Sequence, residues 1–175
     1  MKLKKIEIIV VGIILIGISF FSGCIEQPQA QGTLVLKITD QPGELNITEA
    51  WINISTIQVH KSGNNSTAGW FTIIEEGREF DLIQLRNVTE FLGKENLTVG
   101  NYTQIRLNVN KANVTIDDVV YNLTIPSKTI KLIKPFNITE GETTTLILDF
   151  EVNESIHETG NNKYMFQPTI KVIQE

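Results

Sequence analysis

Alternation of apolar and polar residues along most of the chain is the feature that most limits its fold. Leu34, Leu36 and Ile38 share one parity, and the same spacing returns over residues 146–152. Successive side chains of a β-strand point to opposite faces, so this pattern predicts strands with one buried face. Counted along the chain, it predicts about nine strands, which favours a mainly β fold.

Two places interrupt the alternation. Between residues 51 and 60 the apolar parity changes, and a β-bulge near Ser55 and Thr56 would return Ile52, Ile54, Ile57 and Val59 to the core. Residues 85–93 carry Leu85, Val88, Phe91 and Leu92 at helical spacing before Gly93, which predicts one short helix. Pro135 and Pro168 each remove a backbone donor, so their strands are expected at an edge or at a bulge.

These elements predict an antiparallel β-sandwich, transthyretin-like or immunoglobulin-like, with one short helix. The sandwich would span residues 32–175, one domain's worth of chain with enough residues to bury a core. Only one cysteine is present, so the domain has no internal disulfide and depends on its apolar core.

The N-terminus carries the pattern of a lipoprotein signal. Three lysines precede an apolar run that ends in Phe21-Ser22-Gly23-Cys24. The run is shorter than the roughly 20 residues that a membrane-spanning helix needs, so a cleaved signal helix over residues 1–23 is the better prediction. Cys24 would carry the lipid, and residues 24–31 would form a tether at the outer face of the cell membrane. An uncleaved anchor helix is the alternative.

The chain is also rich in the N-glycosylation sequence Asn-x-Ser/Thr. Eleven of its fifteen asparagines begin such a sequon: Asn46, Asn53, Asn64, Asn65, Asn87, Asn96, Asn101, Asn113, Asn122, Asn137 and Asn153. With 25 serines and threonines in the chain, chance would give roughly two. Strand alternation explains the hydroxyl residues but not the asparagine, which is depleted in strands. Glycosylation of several sites is therefore expected. Together with the lipoprotein signal, it favours a location on the surface of an archaeal cell.

No catalytic signature appears in the sequence, so the protein is not expected to be an enzyme. His60 and His157 are the only histidines and lie outside any zinc spacing. The acidic pairs at 75–76, at 117–118 and at Asp149 with Glu151 could offer oxygens to calcium, but turn chemistry and outward strand charge explain them more simply. We expect no metal site and no cofactor. The net charge of −5 comes without a basic stripe, which argues against nucleic acid.

The two tryptophans have two interpretations. Trp51 and Trp70 begin consecutive predicted strands, where cross-strand aromatic packing is common. An exposed pair could instead stack on a sugar ring. Packing is the favoured prediction.

Four segments resemble a known family in the same order: Gly32–Asp40, Gly100–Leu107, Thr144–Phe150 and Gly160–Val172. Together they make the chain similar to domain-of-unknown-function family 4382 over nearly all of residues 32–173. The resemblance implies a secreted or lipid-anchored β-sandwich of archaea and bacteria. It implies no activity and brings no catalytic residues.

These observations lead to a functional hypothesis of a lipid-anchored, glycosylated surface lipoprotein that serves as a binding or interaction module of the envelope. Its expected partners are the membrane, through the lipid, and a surface glycan or protein ligand. The alternatives are a structural component that shields the surface and a hydrolase with a dispersed site. Glycan placement separates the first two, because a binding module should leave one face uncoated.

Overall fold

The computed structural model describes residues 29–41, 46–64 and 68–175. The predicted signal peptide, Cys24 and Asn65 lie outside these residues. The described chain is mainly β, as predicted, and forms two sheets around one apolar core. Within it no helix is long and apolar enough to cross a membrane.

Twelve strands make up the two sheets. In chain order they are β1 (Gln31–Asp40), β2 (Ile47–Lys61), β3 (Gly69–Ile74), β4 (Arg78–Asp81), β5 (Glu90–Thr98), β6 (Gly100–Ile116), β7 (Val119–Thr124), β8 (Thr129–Ile138), β9 (Thr143–Phe150), β10 (Ile156–Gly160), β11 (Lys163–Phe166) and β12 (Ile170–Gln174). A short 3-10 helix covers Leu82–Leu85, and a single α-helical turn, α1, covers Val152–Ser155.

The small sheet has the order β12-β9-β1-β5. Its inward side chains include Leu34, Leu36, Leu146 and Leu148, all fully buried. The alternation predicted for these segments is therefore confirmed as far as Phe150, whereas Val152 is buried but lies in α1, beyond the end of β9. Most pairings are antiparallel, but β1 and β9 run parallel, so the sheet is mixed.

The large sheet is built on the long antiparallel pair β2 and β6. Strands β3 and β4 lie along the free edge of β2, whereas β7 and β8 lie along that of β6. Beyond β7 follow β11 and β10. The predicted bulge is confirmed, because the β2 register shifts between Ile54 and Thr56 and the four apolar residues around it are buried.

The predicted helix at residues 85–93 is wrong. The 3-10 helix ends at Leu85, and residues 90–98 form β5, which pairs with β1. Leu92 is buried, but Val88 and Phe91 are more than half exposed. The pairing of β5 with β1 therefore overrides the helical spacing. Gly93 serves packing, since a Cβ there would lie 2.7 Å from Cγ1 of Ile74.

The strand predicted around Pro168 is also divided into two. Residues 163–166 form β11 in the large sheet, and residues 170–174 form β12 in the small sheet. Pro168 lies between them, where the chain crosses from one sheet to the other. Pro135 meets its expectation, because β8 pairs only with β6 and the register shifts close to the proline.

Candidate functional site

The last residues of the predicted tether, Ala30 and Gln31, join the sandwich at one identifiable end. The carbonyl of Ala30 accepts a hydrogen bond from the Val99 amide, and that of Gln31 accepts one from Gly141. Strand β1 then runs ten residues away from this end, roughly 33 Å at the usual rise per residue. The outer faces of both sheets are therefore the sides of the sandwich, parallel to the direction in which β1 runs away from the predicted tether.

The sequon asparagines are distributed unevenly over these two faces. The large sheet carries five on its outer face: Asn53, Asn101, Asn113, Asn122 and Asn137. The small sheet carries only Asn96, on its edge strand β5. Asn46, Asn64 and Asn87 lie in turns and connections, and Asn153 lies in α1. Strands β1, β9 and β12 contain no sequon asparagine.

Four of the five asparagines on the large sheet form direct cross-strand pairs. Asn113 lies opposite Asn122, and Asn101 lies opposite Asn137. Directly opposed Cβ atoms are about 4.5–5.5 Å apart, so two glycans on one pair would crowd each other. Asn101, Asn122 and Asn137 are exposed, whereas Asn113 is half-buried beside Trp51.

Asn153 differs from the other described sequons. It lies in α1, half-buried, and its Oδ1 atom is buried without a hydrogen-bond partner. The hydroxyl of its sequon, on the fully buried Ser155, donates to the Glu151 carbonyl at 2.7 Å. A transferase that acts on the folded domain would not reach this hydroxyl.

The outer face of the small sheet has a different composition. Its two central strands present threonines together with Val35, Lys37 and Ile147. On the neighbouring edge strands Ile173 and Phe91 are exposed. Lys37 donates to the Glu175 carboxylate at 2.8 Å. This face combines apolar contact area with charge and has only a rim sequon.

Both tryptophans lie on the outer face of the large sheet, but they do not form a pair. Trp70 packs across the strand pair against His60, with ring centroids 4.9 Å apart, as the packing interpretation predicts. Trp51 is 39% exposed and lies opposite Asn113. His60 lies nine positions after Trp51 along β2, a distance of roughly 30 Å. One sugar could not contact both indoles.

The acidic pairs lie apart from each other. Glu75 and Glu76 are exposed in a turn, and Asp117 and Asp118 form the tight β6–β7 turn with positive φ angles of 48° and 62°. Asp149 is buried and accepts a hydrogen bond from Gln41. Glu151 binds the Lys171 ammonium, which raises the pKa of that lysine. No group of three histidine, cysteine or acidic side chains in the described part of the chain could hold a metal ion.

A buried ion pair lies at the end of β1, opposite the predicted tether, and the sequence analysis did not predict it. Asp40 is 2% exposed, and its carboxylate accepts a hydrogen bond from the Val152 amide and lies 3.5 Å from Nε of Arg86. Burial raises the pKa of Asp40 to about 6, against the opposing effects of the Val152 amide and Arg86. Asp40 continues the parity of Leu36 and Ile38, so the alternation already indicated an inward side chain.

These features define a class of protein, a mainly β domain of two sheets with a sequon-rich face. The family model for a domain of unknown function, DUF4382, matches residues 31–168. The chain belongs to this family, which confirms the resemblance seen in the sequence. No curated protein matches the sequence.

One similar solved structure is described as a "putative cell adhesion protein" from Bacteroides ovatus. It is 14% identical, with a TM-score of 0.26, and the match covers 82% of this chain and 44% of that one. The present chain therefore matches less than half the length of that protein. A likeness at this TM-score says nothing about the function of the present chain.

Proposed function

We propose that the protein is a lipid-anchored, N-glycosylated component of the outer cell surface whose domain is a binding module of the envelope. The carrying observation is the uneven placement of the sequon asparagines, five on the outer face of the large sheet and one at the rim of the other. Glycans at these positions would stand at the two ends of the outer face of the large sheet and would leave β1, β9 and β12 without any.

The open face suits contact with another macromolecule of the envelope. It presents exposed Phe91 and Ile173 around polar and charged positions, the mixture of apolar anchors and polar surroundings that protein interfaces use. Since the tether leaves from the end of the sandwich, this face is directed sideways from the anchor. A protein that only shields the surface is the alternative, and it would need glycans on both faces.

An added glycan on the open face tests the proposal. Lys37→Asn completes a sequon with the existing Ile38 and Thr39 on the central strand β1. The variant would be expressed in the native host, its extra glycan verified by mass, and its neighbours in intact envelopes captured by cross-linking. We expect the glycan to abolish specific cross-links, because it would stand between the two surfaces.

The matched control is Lys37→Gln, which removes the same charge and adds no sequon. It should keep the cross-links of the natural protein. Unchanged cross-links in a Lys37→Asn variant that carries the glycan would contradict a contact surface on the small sheet.

A further inference from the structure

One arginine of the described domain has no acidic partner. The chain contains three arginines, and two of them meet carboxylates: Arg78 with Glu90 at 3.1 Å and Arg86 with Asp40 at 3.5 Å. Arg106 forms no ion pair with any described residue. Instead its guanidinium lies 3.6 Å from the ring centroid of Trp70, and its Nε atom is buried without a hydrogen-bond partner.

A second cation lies directly opposite Arg106. On the outer face of the large sheet Arg106 of β6 is the cross-strand partner of Lys131 of β8. Like charges in this arrangement repel and destabilise a sheet. The cross-strand partners on the other side of Arg106 are Gln58 and then Thr72, neither of which is acidic. Two unneutralised cations therefore meet on one face of a chain whose net charge is −5.

Packing holds the guanidinium in place. Trp70 contacts Arg106 and is itself held by its cross-strand partner His60. A cation over an aromatic face is attracted to the negative face of the ring, and the contact limits the conformations of the arginine. Because Nε is buried, the two Nη groups of this fixed guanidinium are the donors that match the two oxygens of a carboxylate.

We propose that this surface, named here the arginine patch, binds the carboxylate groups of an acidic polysaccharide. The patch consists of Gln58, His60, Trp70, Gln104, Arg106 and Lys131. Arg106 and Lys131 supply the positive charge, whereas the glutamine amides can hydrogen-bond to sugar hydroxyls. An acidic peptide fits less well, because the open face of a sheet offers no groove for apolar side chains. Trp70 positions Arg106, and its own ring face is already covered.

The sequons leave this patch open. On the outer face of the large sheet, Asn53, Asn113 and Asn122 lie toward one end of β6 and Asn101 and Asn137 toward the other. The patch lies between these two groups. The inference needs neither the lipid nor the open face of the small sheet, so its failure would leave the proposed function standing.

The test measures binding of polygalacturonate, a polymer of carboxylated sugars, to the full chain in a non-ionic detergent by calorimetry. Dextran serves as the neutral polymer and polyglutamate as the acidic peptide. We expect binding to polygalacturonate that weakens with salt, no binding to dextran and weaker binding to polyglutamate. Arg106→Gln should lower the affinity about tenfold to a hundredfold, the value of one charge-assisted bidentate contact.

Two further variants separate geometry from charge. Arg106→Lys keeps the charge but loses the bidentate fork, and it should recover only part of the affinity. Lys111→Gln removes an exposed lysine elsewhere on the same face and should change binding little. Melting curves check that each variant is folded. The proposal is overturned if the natural chain does not bind polygalacturonate, if Arg106→Gln binds equally well, or if polyglutamate binds as tightly.

Discussion

At the end of the sandwich opposite the predicted tether, Asp40 and Arg86 form an ion pair next to the core. Asp40 follows three apolar residues of the same parity, and its side chain is completely buried beside Arg86. The polar contacts offset part of the desolvation cost and leave the pKa of Asp40 at about 6 rather than 3.8. A carboxyl group with a raised pKa makes the folded state bind a proton more readily than the unfolded state.

The sign of the resulting pH dependence follows from this difference. Between about pH 4 and pH 6 the folded chain holds a proton on Asp40 that the unfolded chain has lost. The contribution of Asp40 to stability therefore increases as the pH falls through this window, by about 3 kcal/mol in total. Asp40→Asn removes the titration. We expect the stability of the natural protein, relative to this variant, to rise from pH 7 to pH 4 in denaturant titrations.

A control variant is available in the exposed β6–β7 turn. Asp118→Asn removes a carboxylate at a position with positive φ, which asparagine tolerates. Its stability should follow that of the natural protein across the pH range. If the curves of Asp40→Asn and the natural protein also stay parallel, Asp40 does not titrate as the structure implies.

At the scale of the elements, β9 gives the clearest test of the strand pattern. Leu148 points into the core and is fully buried, whereas Ile147 lies on the outer face and is 9% exposed. Leu148→Ala should lower the free energy of unfolding by about 2–5 kcal/mol, because it leaves a cavity in a closed core. Ile147→Ala should cost less, since its neighbours on the open face can move toward the gap. Equal shifts in melting temperature would contradict the assigned orientation of the strand.

The sequence predicted the elements where local pattern and tertiary pairing agree. Strand β9 and the bulge of β2 were predicted correctly, because the spacing of their apolar residues identifies the buried face. Around β5 the two disagreed: Leu85, Val88 and Leu92 have helical spacing, but β1 offers backbone partners to residues 90–98. Pairing between distant segments cannot be read from a local period, so the predicted helix was wrong.

The arginine patch shows the same limit for surface sites. The sequence analysis considered Trp70 for sugar stacking and His60 for zinc binding. It did not single out Arg106 or Lys131. Arg106 lies 36 positions from Trp70 along the chain and meets it only because β3 and β6 both pair with β2. The sequon asparagines could be listed from the sequence, but their concentration on one sheet depends on the strand order.

At the scale of the whole molecule, the order of the strands in the two sheets determines which residues share a face. The sequence predicted two-sheet architecture from alternation alone. It did not predict the parallel pairing of β1 with β9 or the crossing of the chain between β11 and β12, because both depend on long-range topology. That topology separates the sequon-rich face of the large sheet from the open face of the small sheet.

The central claim is that this domain is held at the cell surface by a lipid on Cys24 and carries glycans on one face. Mass spectrometry of the protein purified from native membranes, intact and after proteolysis, tests it most directly. We expect a chain that begins at Cys24, carries lipid on that residue, and has glycan masses on peptides of the large sheet but none on Asn153. A chain that retains residues 1–23, has an unmodified Cys24 thiol, or shows no mass beyond the polypeptide and lipid would contradict the account.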